Sequence, residues 1–565
     1  MAASGHYLAS TAAYEILKQG GNAIDAGVAA GLCINVVQPD MTSLGGVAPI
    51  MIYHRETRRV STIDGLGVWP RAASIEFFRE RCGGDMPPGI LRSVVPAAAD
   101  AWITALARFG TLRFSQVAAP ALELAEGGFP VYRFLYRNML FDLPGYRRWP
   151  STASTFLRDD APLPPGTVLR QPELAATLRR MMRAEDSAST LGRDAGLDAA
   201  RAEFYEGETA QTMARFAQAE GGLITAEDLR QFRVKLEEPV HVHYRGYDVY
   251  ACGPWCQGPV LLQALNLLEP FDLAAWDHNG AEHLHVVLES LKLAFADREA
   301  YYGDPRMVDV PMEALLSKEY AAMRRRCLDM AHASTELPSP GDPYGFEQGR
   351  RKGALTGPSV ETAQRNATWE PDTSYLCVVD RWGNAISATP SDSAASSPLV
   401  PGVGCIISSR GSQSWLAENH PSALAPGKRP RLTPSPAMVL RDGNVFMTLG
   451  TPGGDIQPQA MLQVLVNVID FGMDLQTAVE RERAATHSFP NSFWPHAYTP
   501  GLVCLDPGFP DGVVTRLADA GHRVQHLTQW ERHRRTGVCA IRVDPTSRVL
   551  VGAADSRRES YAVGW

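Results

Sequence analysis

Long hydrophobic runs are missing from this sequence. Nothing in its 565 residues approaches the roughly 18 consecutive apolar residues that a membrane-spanning helix requires. The N-terminus also lacks the basic stretch followed by an apolar one that marks a secretory signal. Its first residues already run into a helix-forming segment, so we expect the natural gene to begin slightly upstream, although the sequence leaves open whether the N-terminus is complete. We therefore expect a cytoplasmic protein without a membrane partner.

Excess positive charge is missing as well. The chain has 54 Lys and Arg against 62 Asp and Glu, a formal net charge of −8, and no continuous basic tract. A protein that binds nucleic acid needs a surface that neutralises phosphates. The sequence therefore predicts no nucleic-acid partner.

Paired cysteines and the common ligand motifs are also missing. The nine cysteines are an odd number without a CxxC pair and lie in apolar surroundings, which indicates buried free thiols and neither disulfides nor a zinc site. The sequence contains no P-loop, GxSxG elbow, HExxH helix or EF-hand loop. It consequently predicts neither a metal nor a cofactor.

What the sequence does contain is typical of a soluble globular chain, with 45% hydrophobic and 21% charged residues. A chain of this length has two or more cores or one large sandwich. Asn22 can cap the Ala-rich run that follows it, and the segments 50–54 and 60–64 alternate like paired strands. Helical periodicity dominates residues 96–330, apart from a strand-like interlude at 241–251. This middle region is expected to cover a sheet and not to build one.

A change in character at Thr373 is the most informative boundary. Residues 334–371 are rich in Pro, Gly, Ser, Thr and charge, which predicts a mobile, exposed linker. The segment 373–389 then has the pattern of strand, tight turn and strand. Further elements are predicted as strands at 404–408, 437–440 and 445–449, a helix at 458–471, and a closing strand pair at 540–543 and 549–553. The pattern predicts an α+β fold with strands from both ends of the chain.

Thr373 itself has two interpretations. A threonine hydroxyl becomes a nucleophile when a base takes its proton, and the amine of an N-terminal threonine supplies that base once the preceding peptide bond is cut. Such a protein is made as a precursor and cleaves itself between Asp372 and Thr373. In the alternative, Thr373 merely opens a strand, as β-branched residues often do. Spacing alone favours the strand.

A series of motifs, in order along nearly the full chain, resembles the γ-glutamyltranspeptidase family of N-terminal-nucleophile hydrolases. The motifs are Gly20-Gly-Asn-Ala-Ile-Asp-Ala26, Ser43-Leu-Gly-Gly46, Asp64-Gly65, Val94-Val-Pro96, Gly221-Gly-Leu-Ile-Thr-Ala-Glu-Asp-Leu229, Leu293-Ala-Phe-Ala-Asp-Arg298, Gly303-Asp-Pro305, Asp372-Thr-Ser-Tyr-Leu-Cys-Val-Val-Asp380, Pro426-Gly-Lys-Arg-Pro430, Gly450-Thr-Pro-Gly-Gly454 and residues 462–473. The resemblance implies a four-layer αββα sandwich, made as one chain and matured into a large subunit (1–372) and a small subunit (373–565) that stay interlocked.

The same resemblance assigns roles to four residues. Thr373 would be the nucleophile that attacks an amide carbonyl to form an acyl-enzyme, which water or an amine then resolves. Gly453 and Gly454 match the paired glycines whose backbone N–H groups stabilise the tetrahedral oxyanion, although a tight turn before the next helix is another use for them. Ser391, 18 residues after Thr373, stands where the family usually has a second threonine and keeps its supporting hydroxyl.

The sequence departs from the γ-glutamyl pattern where the family binds the donor's α-carboxylate and α-ammonium. Leu66 occupies the slot of the carboxylate-binding Arg, and Ser393 replaces an Asn. Arg410 and Gln413 lie nearest to the positions of an acid pair. A guanidinium attracts a carboxylate and repels an ammonium, so an ammonium site is not expected.

The stretch around Arg410 resembles the γ-glutamyltranspeptidase-like branch that includes oxamate amidohydrolase. In that branch Arg410 would anchor the carboxylate of a small acidic amide beside Thr373. The commoner fate of an arginine is a pairing with a surface carboxylate. The other residues predicted to contact the substrate are Ser393, Gln413 and Thr433, the last of which replaces one of two paired serines.

We expect an autoprocessed N-terminal-threonine amidohydrolase or acylase that acts on a small carboxylate-bearing amide. A γ-glutamyltransferase or glutathione hydrolase is the first alternative, against which the missing Arg and acid pair argue. The second alternative is an uncleaved, non-catalytic relative that serves as a binding or scaffold protein. The sequence leaves open the exact substrate, hydrolysis versus transfer to an amine, and whether the processed heterodimer forms a homo-oligomer.

Overall fold

The computed structural model describes residues 1–346 and 372–565, and two antiparallel β-sheets organise this part of the chain. Within these residues the first sheet has seven strands, in the spatial order Tyr561–Val563, Ala2–Ser4, Leu376–Val379, Ala385–Ala388, Ile50–His54, Arg59–Ile63 and Leu236–Glu237. The second sheet has six, in the order Leu550–Ala554, Cys539–Val543, Asn444–Gly450, Ala437–Arg441, Tyr247–Ala251 and Val240–Tyr244.

Helices and smaller sheets complete the described part of the chain. The smaller sheets consist of Ala484–Thr486, Leu502–Leu505 and Arg523–His526; Phe129–Pro130 and Val168–Leu169; and Leu157–Arg158 and Ala161–Pro162. The α-helices are Tyr7–Lys18, Ala23–Val37, Ile75–Cys82, Ala98–Phe109, Phe114–Gly127, Arg133–Phe141, Leu143–Arg148, Pro150–Phe156, Pro172–Ala188, Arg193–Tyr205, Glu208–Ala219, Ala226–Gln231, Gly258–Leu268, Ala281–Tyr301, Met312–Leu315, Lys318–Arg325, Pro343–Phe346, Gln457–Ile469, Leu475–Glu480, Asp511–Asp519 and Gln529–Arg535.

The helix Ala23–Val37 begins as the sequence predicts. The Asn22 side chain accepts hydrogen bonds from two backbone N–H groups of the first turn, at 2.9 and 3.0 Å, and the Asp25 carboxylate accepts one from Asn22 N. Every residue of the helix is buried. A Cβ on Gly27 would lie 2.5 Å from the Ile386 side chain, so this glycine lets the helix lie directly against the first sheet.

The hairpin that follows Thr373 is formed by the paired strands Leu376–Val379 and Ala385–Ala388. The Asp380 carboxylate closes the turn by accepting hydrogen bonds from the backbone N–H groups of residues 382, 383 and 384, at 2.8–2.9 Å. The turn lies at one end of the strands. Thr373 therefore lies beyond their other end, just before the first strand begins.

Side chains on the two faces of each sheet enter different cores. In the first sheet, Val378 packs in a core shared with helices, whereas its neighbour Cys377 packs in a core between the sheets. In the second sheet, Met438 enters the core between the sheets and Val439 packs in a third core with helices. The two sheets thus share one core, and each sheet shares another with helices.

The middle region builds part of a sheet, which corrects the prediction made for residues 96–330. The strands Val240–Tyr244 and Tyr247–Ala251 form an edge of the second sheet, where Tyr247–Ala251 pairs with Ala437–Arg441. Leu236–Glu237 pairs with an edge of the first sheet. Alternate aromatic and β-branched residues of this segment enter the core, which favours strands despite the helical surroundings.

The prediction of a strand at 404–408 is wrong. Among the described residues this segment makes a single β-bridge, between Leu399 and Ile406. Gly404 has a φ of +75°, and a Cβ there would lie 2.2 Å from the backbone of Leu174, so the chain turns instead of extending. The other predicted strands and the helix at 458–471 are confirmed, with ends that differ by up to three residues.

The predicted linker at 334–371 lies outside the described residues from position 347 onward. Its described beginning is bonded to the helix Ala281–Tyr301. Lys292 Nζ donates to Ser334 O at 2.7 Å, and Tyr301 Oη donates to Gly341 O at 2.6 Å.

All nine cysteines are free and seven of them are buried, which confirms the prediction of buried free thiols for most of them. Of the helices in residues 1–346 and 372–565, none has the length and apolar character needed to cross a membrane. The same residues contain no group of three His, Cys, Asp or Glu side chains arranged to hold a metal ion.

Candidate active site

Thr373 lies buried at the end of the first sheet, and the structure brings it together with Ser391. The segment before the strand is bonded to the residue before Ser391, since Ser374 N donates to Pro390 O at 2.9 Å. Ser391 N in turn donates to Val47 O at 2.9 Å, which fixes this residue against a second segment. The Oγ1 of Thr373 and the Oγ of Ser391 lie 2.7 Å apart, within hydrogen-bonding distance.

Backbone strain is concentrated at this junction. Thr373 has a φ of +153° and Asp392 a φ of +103°, in a region that side-chain-bearing residues rarely adopt. Each such residue costs roughly 1–3 kcal/mol and persists only where its surroundings hold it. The peptide segment on either side of the Thr373–Ser391 contact is therefore held under strain.

Arg410 is a charged group that contacts this pair directly, through Ser391. It begins a short 3-10 turn, Arg410–Gln413, and only 1% of its side chain is exposed. Its Nη2 lies 2.5 Å from Ser391 Oγ and 2.6 Å from Asp372 Oδ2, while its Nε lies 3.5 Å from Asp392 Oδ1. The predicted alternative of a surface ion pair is wrong, because the guanidinium is buried at the candidate nucleophile.

Asp372, the residue before Thr373, is held at its main-chain carbonyl and at its side-chain carboxylate. Ser391 Oγ donates to Asp372 O at 3.2 Å, and Ser393 N donates to Asp372 Oδ2 at 3.1 Å. Burial raises the pKa of the Asp372 carboxyl above its ordinary value; Arg410 opposes the rise and Asp392 adds to it.

Asp392 is a residue of the site that the sequence analysis missed. Its carboxylate accepts hydrogen bonds from Ser408 Oγ at 2.6 Å, Ser409 Oγ at 2.7 Å and Ser409 N at 3.1 Å. These bonds connect the segment that carries Ser391 with the turn that carries Arg410. The sequence does contain a signal for this role, because Asp392 lies directly between two predicted site residues, Ser391 and Ser393.

Gly453 and Gly454 follow the second-sheet strand Asn444–Gly450, whose end lies beside the Thr373 segment. A Cβ on Gly450 would lie 2.2 Å from the ring of Tyr375, two residues after Thr373. Gly453 and Gly454 have φ values of +129° and +55°, angles that glycine adopts without strain. Both uses proposed for these glycines, as a turn and as backbone donors near the nucleophile, are compatible with this position.

Gln413 and Thr433 bond to each other, and a second glutamine connects them to the glycine loop. Gln413 Nε2 donates to Thr433 Oγ1 at 2.8 Å, and Thr433 N donates to Gln413 Oε1 at 3.3 Å. Gln257, which the sequence analysis missed, donates through Nε2 to Thr433 O at 2.9 Å and to Gly454 O at 2.8 Å. Arg298 donates to Gln257 Oε1 at 3.0 Å, so this bridge is itself anchored.

A cleft of about 240 Å³ adjoins the segments that carry the site. Asp372 and Ser393 are part of its lining, and the Ser393 hydroxyl accepts a hydrogen bond from Ala395 N at 3.1 Å. Arg92, Arg148 and Phe141 contribute to its walls. The cleft is large enough for a small organic acid, and Asp372, the residue before Thr373, is part of its lining.

Leu66, at the slot of the expected carboxylate-binding arginine, is fully buried in the core between the sheets. Leu432 belongs to the same core. These two positions therefore serve packing, and the described residues place Arg410 as the cation beside Thr373.

Comparisons with known proteins agree with the motifs. The family model for gamma-glutamyltranspeptidase matches residues 9–565. The glutathione hydrolase-like YwrD proenzyme of Bacillus subtilis is 32% identical over 566 residues, covering 100% of this chain and 98% of the relative. The oxamate amidohydrolase proenzyme of Klebsiella pneumoniae is 31% identical over 579 residues, covering 100% and 98%. The crystal structure of a cephalosporin acylase from Bacillus halodurans has a TM-score of 0.84 at 28% identity, covering 100% and 95%.

Proposed function

The chain belongs to the gamma-glutamyltranspeptidase family of enzymes, and from this premise we propose that it is an autoprocessing N-terminal-threonine amidohydrolase that cleaves a small carboxylate-bearing amide. The observation that carries the proposal is the Thr373 hydroxyl, 2.7 Å from Ser391 Oγ, in a buried site whose cation is Arg410. Relatives named as proenzymes, acylases and an amidohydrolase support it.

Maturation uses the Thr373 hydroxyl first on its own chain. The Thr373 oxygen attacks the Asp372 carbonyl carbon, the bond from that carbon to the Thr373 nitrogen breaks, and the hydroxyl proton passes to this nitrogen. Water then hydrolyses the ester and leaves Thr373 with a free amine. The strained φ of +153° at Thr373 supports this step, because cleavage releases the strain.

The products are a large subunit, 1–372, and a small subunit, 373–565, in a four-layer αββα sandwich. Strand pairing supports their interlocking. The large-subunit strand Ala2–Ser4 lies between the small-subunit strands Tyr561–Val563 and Leu376–Val379. The core between the sheets and the two cores shared with helices support the layered arrangement.

In the mature enzyme the free amine of Thr373 acts as the base for its own hydroxyl. Thr373 Oγ1 attacks the substrate carbonyl, the amide C–N bond breaks, and the proton leaves with the amine product. Gly453 and Gly454 offer backbone N–H groups to the developing oxyanion, a contribution of several kcal/mol to the barrier in such sites. Water releases the acid from Thr373 and restores the hydroxyl.

Arg410 binds the substrate carboxylate in this mechanism. A buried guanidinium recognises a planar carboxylate through paired N–H donors. Ser393, Gln413 and Thr433 shape the same wall of the site.

The experiment that tests the proposed function compares wild-type protein with Thr373→Ala and Thr373→Ser. Wild type should run as two bands on a denaturing gel and release ammonia from small acidic amides. Thr373→Ala should run as one band without activity, and Thr373→Ser should retain slow cleavage because it keeps a hydroxyl. Amide hydrolysis by Thr373→Ala, or a single uncleaved band for wild type, would reject the proposal and favour a non-catalytic role.

A glutathione hydrolase is the second candidate, favoured by the description of the Bacillus subtilis relative as glutathione hydrolase-like. Leu66 in the core and Arg410 at the nucleophile argue against an amino-acid donor group. Release of p-nitroaniline from γ-glutamyl-p-nitroanilide at a rate above that for acidic amides would support this candidate.

A further inference from the structure

Asp372 is held in the uncleaved chain as a bound acyl group would be. The bond to be cut joins its carbonyl carbon to the Thr373 nitrogen, and the oxygen of that carbonyl accepts a hydrogen bond from Ser391 Oγ at 3.2 Å. Its carboxylate contacts Arg410 Nη2 at 2.6 Å and accepts from Ser393 N at 3.1 Å. One residue thus presents both a reacting carbonyl and a carboxylate to the site.

We propose that Asp372 occupies the acyl site of the mature enzyme and thereby sets its substrate length, so that the preferred substrates are amides of four-carbon dicarboxylic acids, the succinyl type. This inference rests on the proposed function. Self-cleavage and catalysis form the same ester on the Thr373 oxygen, with the acyl carbon bonded to that atom in both cases. The acyl group left on Thr373 in the first reaction is therefore a template for the second.

The Asp372 acyl group has two carbon atoms, Cα and Cβ, between the carbonyl carbon and the carboxylate carbon. A succinyl group has the same two. An oxamyl group has none, a malonyl group has one, and a glutaryl or γ-glutamyl group has three. Comparing hydrolysis rates across amides of these acids therefore reports the distance from the Thr373 ester to the group that binds the carboxylate.

Arg410 is fixed too firmly to follow a carboxylate of another length. Ser391 Oγ at 2.5 Å and Asp392 Oδ1 at 3.5 Å hold its guanidinium, and Phe493 lies beneath it with its ring centre 5.4 Å away. When Asp372 leaves, the buried guanidinium exchanges one carboxylate partner for another. A buried charge that loses a partner is costly, which favours an acid that reaches the same point.

The experiment uses processed wild-type enzyme and the primary amides oxamate, malonamate, succinamate and glutaramate, with ammonia release as the readout. We expect kcat/KM to peak at succinamate, at least about tenfold above malonamate and glutaramate, the usual effect of one misplaced methylene. Butyramide, which replaces the carboxylate of succinamate by a methyl group, should be hydrolysed more slowly still.

A peak at oxamate or glutaramate, or equal rates for butyramide and succinamate, would overturn the inference and leave the proposed function intact. Processed protein that hydrolyses none of the amides would overturn the proposed function and the inference with it.

Self-cleavage provides a second readout that does not depend on added substrate. Asp372→Glu adds one methylene between the carbonyl and the carboxylate, and Asp372→Asn keeps the length without the charge. We expect both precursors to cleave themselves at least about tenfold more slowly than wild type, because neither matches both the length and the charge that Arg410 binds. Cleavage of Asp372→Glu at the wild-type rate would contradict a fixed length.

Discussion

Ser391 Oγ lies 2.7 Å from Thr373 Oγ1 and receives a hydrogen bond from Arg410 Nη2. It also donates to the Asp372 carbonyl oxygen at 3.2 Å. The serine hydroxyl therefore connects the candidate nucleophile, the carbonyl of the bond to be cut and the guanidinium. This arrangement makes Ser391 the positioning residue of the site.

Replacing Ser391 by alanine should slow self-cleavage about 10- to 100-fold, because removing a hydroxyl that bonds to the reacting groups costs on the order of 1–3 kcal/mol. Ser391→Thr should stay close to wild type because it keeps the hydroxyl. Ser387→Ala is the matched control, since this buried serine bonds at 2.7 Å to the Oη of Tyr375, the residue just before the preceding strand. Time courses on denaturing gels measure all three, and equal rates for Ser391→Ala and Ser387→Ala would exclude the positioning role.

Replacing Gln257 by leucine should lower kcat about tenfold or more while leaving KM little changed. The substitution removes the donor to Gly454 O and Thr433 O, so the glycine loop loses its anchor. Gln463→Leu is the control, because Gln463 is also buried and donates to two carbonyls, those of Gln459 and Ala484. Both variants should lose stability, but a similar loss of kcat in both would contradict a specific role for Gln257.

Replacing Gly453 by alanine should lower kcat about 100-fold, comparable to removing an oxyanion donor. Its φ of +129° disfavours a side chain, and a Cβ there would lie 2.4 Å from Arg535 O, so the loop has to move. Gly472→Ala introduces a side chain at a φ of +64° with nothing within 4 Å. This control should keep full activity, and steady-state kinetics of the two variants decide between local and general effects.

Protonation of His283 should contribute to acid unfolding. Burial lowers the pKa of His283 from 6.5 to about 4, and the neighbouring His278 adds to the effect. As the pH falls below 6.5, this histidine is protonated in the unfolded chain but stays neutral in the folded chain. The free energy of unfolding therefore has its full value above pH 6.5 and decreases as the pH falls toward 4.

The test compares urea unfolding of wild type and His283→Asn at about pH 7 and about pH 4.5. The stability advantage of wild type over the variant should shrink by on the order of 2 kcal/mol at the lower pH. Other titrating groups, such as Asp40, whose pKa burial raises to about 7, affect both proteins equally. An advantage that does not change with pH would show that His283 is not the group responsible.

Local patterns were sufficient to predict much of the fold. The cap at Asn22, the hairpin after Thr373 and the strand pairs near both ends follow from short-range preferences, and the structure contains them. The segment at 404–408 misled the prediction because its apolar residues 405–407 match a buried strand. Their burial is real, but the polar residues that follow bond to Asp392.

The site could be predicted only where a motif carried it. Thr373 and Ser391 lie 18 residues apart on one hairpin, and the structure places their hydroxyls in contact. Gln257 reaches Gly454 across 197 positions of sequence, and no periodicity signals such a contact. The Asp372–Arg410 pair is likewise a product of tertiary packing, which also buries the guanidinium.

Mass spectrometry of the purified wild-type protein tests the central claim most directly. The account predicts two chains, the smaller of which begins at Thr373 with a free amine and gains the mass of the acyl group when it is quenched during turnover of succinamate. The adduct should map to the N-terminal peptide of that chain. A single intact chain that still hydrolyses the amide, or an adduct on any other residue, would contradict the account.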